Sequence, residues 1–132
     1  MADEVNPLET LAARLLEATK AKRVSWDATS NTSYECSLGT ATVVVRSKDN
    51  DGIQPFEIRL LNFGGVVVDS AVTSLVENES SWDRELVHAN RLSALIEDLF
   101  VAARRNALDV DAVVAEALGA IPLAIDDGDL PF

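Results

Sequence analysis

The chain has 132 residues, of which 48% are hydrophobic and 25% charged. That balance describes one folded domain and excludes a disordered chain, a collagen or a coiled coil as the main description. Acidic residues number 22 against 11 basic ones, a formal net charge of −11, which argues against a surface built to grip nucleic acid phosphates.

Asn6, Pro7 and Glu9 open the first element. Asn6 is a good N-cap, Pro7 suits the first helical position, and Glu9 can complete a capping box. Leu8, Leu11, Ala12, Leu15, Leu16 and Ala18 follow at helical spacing. Lys20, Lys22 and Arg23 suit the negative end of the helix dipole. The spacing predicts a helix over about 7–22. Residues 27–33 are small or polar and read as a loop. Tyr34, Cys36 and Leu38 then alternate with Glu35 and Ser37, the mark of a half-buried strand. Gly39-Thr40 can turn into a second strand over 41–47, with Val43 and Val45 inward. A third strand is predicted over 56–62, with Phe56, Ile58 and Leu60 on one face and Glu57 and Arg59 on the other. Gly64-Gly65 is a hairpin signal, and a fourth strand follows over 66–72. Links this short require antiparallel neighbours.

Ser80 or Ser81 can cap a long helix over about 82–106, whose apolar set is Leu92, Leu95, Ile96, Leu99, Phe100 and Ala103. Asp109 can cap a short last helix that Gly119 ends. The order predicts an α+β fold of two layers: an N-terminal helix, a four-stranded antiparallel sheet, a long helix and a short helix. The first two helices would cover one sheet face and leave a more polar one. Residues 1–119 form a single domain and 120–132 an acidic tail. Residues 107–132 hold six acids and no base, more than half of the net charge.

The N-terminal residues show no basic and apolar signal pattern, and no apolar run approaches a membrane span. The expectation is a cytoplasmic protein with Cys36, its one cysteine, as a reduced thiol. The body carries no catalytic motif, so no enzyme activity, no cofactor and no metal are expected. Asp49-Asn50-Asp51-Gly52 fails the calcium-loop template, because Ser47 and Ile58 fall where acids are needed; it reads as a turn. His88, the one histidine, falls near the start of the long helix without partners at metal or triad spacing. Cys36 reads as a small core hydrophobe, and Trp26 and Trp82 as packing residues or partner-facing anchors.

The last residues are more specific. The sequence ends Asp126-Asp127-Gly128-Asp129-Leu130-Pro131-Phe132. This resembles the acidic C-terminal tip of bacterial single-stranded DNA-binding protein, a run of Asp followed by Ile or Leu, Pro and a terminal Phe. Gly128 interrupts the acidic run, and the resemblance covers only these seven residues. Phe132 puts an aromatic ring and an α-carboxylate on one residue, so a pocket can bury the ring while Arg or Lys pairs with the carboxylate. Pro131 stiffens the approach, and Asp126, Asp127 and Asp129 can meet a basic rim. The resemblance implies recruitment of replication, repair and recombination proteins. The body does not resemble the OB barrel of that family. The expected function is therefore a bacterial or phage adaptor or competitor that binds a protein partner through Asp126, Asp127, Asp129, Leu130, Pro131 and Phe132, with no direct nucleic acid binding and no membrane. The alternative is an acidic chaperone, immunity protein or inhibitor that binds a basic partner through its folded body.

Overall fold

The computed structural model describes residues 6–49, 51, 53–77 and 86–122. Helix α1 spans Pro7–Lys20, and the Asn6 side chain accepts from the Leu8 N–H at 2.9 Å. Strands β1 (Asp27–Ser30), β2 (Ser33–Leu38), β3 (Ala41–Ser47), β4 (Phe56–Leu61) and β5 (Val67–Val72) form one antiparallel sheet in chain order. A small hairpin joins β6 (Leu75–Glu77) to β7 (Leu86–His88). Helices α2 (Arg91–Ala107) and α3 (Val110–Ala120) follow. The protein is α+β, as the sequence pattern predicts.

The period-2 alternation of the strands sets the core. Tyr34 pairs with Val45, Val45 with Ile58 and Ile58 with Ala71, so one row of side chains crosses four strands. Cys36, Val43 and Leu60 form a second row on the same face. Helix α2 lies on these rows through Ile96, Leu99, Phe100 and Ala103, and α1 packs along α2 with Leu8, Ala12, Leu15 and Leu16. Phe100 stacks on Phe56 with ring centroids 4.3 Å apart and meets Tyr34 edge-on at 5.6 Å. The opposite sheet face carries a charged row. Glu57 accepts from Arg59 at 3.0 Å and from Arg46 at 3.4 Å.

Glycine is required at two turns. Gly39 (φ +65°) links β2 to β3, and Gly65 (φ +79°) links β4 to β5. The Gly65 N–H donates to Asn62 O and the Asn62 N–H to Val66 O, closing the second hairpin.

The structure departs from the sequence expectation in several places, among them the β6–β7 hairpin, which no sequence signal predicts. The sheet has five strands, because residues 27–30 form β1 rather than part of a loop. Every β1 residue is exposed, so no apolar alternation marks it, and its backbone ladder to β2 carries it. The long helix begins at Arg91 instead of 82. Residues 86–88 are strand, and the N-cap is Asn90, whose side chain accepts from the Ser93 N–H at 2.8 Å; Ser80 and Ser81 lie outside the described residues. Asp109 is left-handed (φ +51°, ψ +47°) and its side chain makes no capping bond. Its N–H donates to Asn106 O and its own O accepts from the Val113 N–H at 3.1 Å, so it closes α2 and holds the N-cap position of α3 by its backbone alone. The last helix continues through Gly119 to Ala120.

Candidate functional site

The tip residues Asp126, Asp127, Asp129, Leu130, Pro131 and Phe132 lie outside the described residues, as does Trp82. The stem that precedes the tip is described. Helix α3 buries no residue, and Val113, Val114 and Leu118 are all exposed. Asp111 ties the helix start to the body. Its carboxylate takes Arg105 at 2.9 Å and Lys22 at 3.4 Å. The hydrogen bond from Arg105, then that from Lys22, holds its carboxyl below the usual carboxylate range.

These pairs lie in a cleft of about 490 Å³ where α1 and α2 end, lined by Thr19, Trp26, Asn106 and their neighbours. Trp26 Nε1 donates to Thr19 Oγ1 at 2.9 Å, and Thr19 Oγ1 donates to Leu15 O at 2.7 Å. Asn106 accepts from the Trp26 N–H at 2.8 Å and donates to Val24 O at 3.3 Å. Trp26 is thus core cover, one of the two readings its sequence position allows.

The chemistry-bearing residues of the body fall in two places. Cys36 is a free thiol on β2, 1% exposed. Burial, then the nearby Asp27 carboxylate, pushes that thiol above its ordinary range. An inward, desolvated thiol is a poor nucleophile, in keeping with its reading as a small hydrophobe. His88 is on β7, not on a helix. Its Nδ1 meets Ser93 Oγ at 2.6 Å and its Nε2 meets Glu97 Oε1 at 2.5 Å.

A hydroxyl, an imidazole and a carboxylate in line form the constellation that activates serine nucleophiles. Here the hydroxyl is held. Ser93 is 1% exposed. Its Oγ also accepts from the Ser74 N–H at 2.8 Å and donates to Ser74 O at 3.0 Å. The trio fastens the β6–β7 hairpin to the first turns of α2. The residue pattern hides this cluster. On a continuous helix from 82 to 106, His88 and Ser93 would be five positions apart and would not share a face. Only the strand assignment brings them together; neither Ser93 nor Glu97 stands out in the sequence.

Asp51 turns the loop between β3 and β4. Its carboxylate accepts from the Ile53 N–H at 3.1 Å and from Ser47 Oγ at 2.9 Å, and these bonds, Ile53 first, lower its carboxyl from the ordinary range. No group of three or more His, Cys, Asp or Glu with metal-holding geometry occurs among the described residues. No helix among the described residues is long and apolar enough to cross a membrane. No protein-family model matches the chain, and it finds no match among curated proteins or solved structures.

Proposed function

We propose that this protein is a non-enzymatic adaptor or competitor. It docks through Asp126–Phe132 on replication and repair proteins that receive the tip of single-stranded DNA-binding protein. The observation that carries this reading is the sequence Asp126-Asp127-Gly128-Asp129-Leu130-Pro131-Phe132 itself. Phe132 supplies the buried ring, Leu130 a flanking apolar contact, and Pro131 a stiff backbone with less entropy to lose. The three aspartates steer the tip toward a basic rim and act mainly on encounter rate. The exposed α3 supports the reading by placing the stem of the tail on the surface of the body.

The test is displacement of a fluorescent peptide ending Asp-Leu-Pro-Phe from a purified receptor of that tip. The full chain displaces the peptide, and removal of Phe132 weakens displacement by about 30-fold or more, the scale of a lost aromatic anchor. Equal displacement by both chains overturns the proposal.

A second reading is favoured by one observation. Helix α3 exposes Val113, Val114 and Leu118 beside Asp111 and Glu116, a surface suited to an apolar, basic partner. The body would then act as an acidic chaperone, immunity protein or inhibitor. The open sheet face suits that partner less, because Arg46 and Arg59 flank Glu57 there. Under this reading, Leu118→Asp abolishes binding and loss of residues 123–132 leaves it intact.

A further inference from the structure

A groove of about 300 Å³ lies between β4 and the second half of α2. Phe56 and Phe100, stacked on each other, form its floor. Val101 and Val110 form its walls, and Arg104 and Arg105 its rim. We propose that this groove is an intramolecular seat for the chain's own Leu130-Pro131-Phe132 tip. The seat rests on the reading of residues 126–132 as a docking segment and adds a competing site on the same molecule.

The chemistry of the groove matches the tip. An apolar floor accepts a ring, and a guanidinium rim accepts carboxylates. Arg104 is exposed and makes no ion pair among the described residues. Arg105 shares its charge with the exposed Asp111 at 2.9 Å. Glu97 is the one carboxylate among the described residues that lines the groove, and His88 Nε2 already takes it at 2.5 Å. In a chain of net charge −11, the Arg104 guanidinium beside an apolar floor offers an acidic segment a cation that no carboxylate among the described residues takes. The acidic tip supplies what it lacks.

Reach and tethering favour the chain's own tip over another molecule. Val110 stands at the groove and opens α3, whose 11 residues rise about 16 Å. The ten residues from 123 to 132 span up to about 33 Å when extended, more than the return distance. A tethered tip acts at an effective concentration on the order of millimolar. A weak contact therefore suffices to hold it, whereas a free ligand of equal intrinsic affinity must itself reach millimolar levels. A seated tip is withheld from a receptor, and the receptor's apparent affinity falls by the unseated fraction.

Heteronuclear NMR on the full chain tests the seat, with Phe132→Ala and Arg104→Glu compared against the unaltered protein. Phe132→Ala is expected to move the Arg104 Nε–Hε, Val101 amide and Phe56 and Phe100 ring resonances. Arg104→Glu is expected to move those of Leu130 and Phe132, and tenfold dilution to change neither spectrum. Shifts from Phe132→Ala confined to residues 123–132 overturn the seat. So does a concentration-dependent spectrum, which would assign the groove to the tip of a second copy. Receptor binding separates this proposal from the previous one. Arg104→Glu should raise the apparent affinity for a tip receptor several-fold. Groove shifts without receptor binding keep the seat and remove the adaptor function; receptor binding without groove shifts does the reverse.

Discussion

Asn106 shows how one side chain can organise a junction. It accepts from the Trp26 N–H and donates to Val24 O, so it fixes the segment after α1 against the end of α2. Asn106→Ala leaves a part-buried donor and acceptor unpaired, at a cost of about 1–3 kcal/mol. A thermal melt should show Tm lower by about 3–10 °C; an unchanged Tm would mean that water replaces both bonds. Cys36 permits a chemical test. A thiol buried in the core and held above its ordinary range reacts slowly, so Ellman's reagent at pH 8 should label the native protein at least about tenfold more slowly than the guanidine-unfolded chain. The raised thiol also has a sign. Its contribution to stability is complete below the ordinary thiol range and is lost as pH rises through the raised value. Asp51 and Asp111 work the other way: their carboxyls are lowered on folding, so their contribution is present at neutral pH and is lost as pH falls below the ordinary carboxylate range. Stability should therefore decline toward both extremes in a pH series of melts.

Elements differ in how much of themselves they show in sequence. α1 is legible throughout, because Asn6, Pro7 and the apolar spacing from Leu8 to Leu16 agree. β2, β3 and β4 are legible because alternation is strict and one face is fully buried. β1 is not, since a polar edge strand pairs by backbone alone. The N-terminus of α2 is not either, because Leu86 and Val87 extend the apolar run backward across a strand. The two sheet edges also differ. β1 is short, polar and bulged between Ala28 and Ser30, which discourages strand addition. β5 presents Val67, Val68 and Val72, all exposed, with no Pro or Lys, and is the template for unwanted pairing. Val68→Lys should reduce aggregation in light scattering and move stability by no more than about 0.5 kcal/mol. In α3, Gly119 sits inside the helix, and a Cβ there meets nothing within 4 Å. Gly119→Ala should raise helix content and stabilise by about 0.5–1 kcal/mol. A loss of stability would mean that α3 is not held as a helix to Ala120.

At the scale of the molecule, charge and apolar surface divide along the chain. The body buries one sheet face under α2, with α1 packed along α2, and pairs Arg46, Glu57 and Arg59 on the other. The C-terminal fifth holds six acids and no base and exposes the apolar residues of α3. Under the proposed reading, residues 126–132 meet the partner and the body is the unit delivered. The fold class was legible because burial imposes periodicity on the chain. The proposed docking segment is read on a different basis: the resemblance is carried by a few consecutive residues and needs no tertiary context. The groove beneath Arg104 was hidden, because it joins Phe56 to residues of α2 some 40 positions later. The most direct test of the central claim is isothermal titration of a purified tip receptor with the full chain and with its Phe132→Ala variant. The account predicts one-to-one binding for the first and loss of binding for the second, at equal Tm. Equal affinity for both would contradict recognition of the Phe132 ring, and would move the functional surface to the folded body.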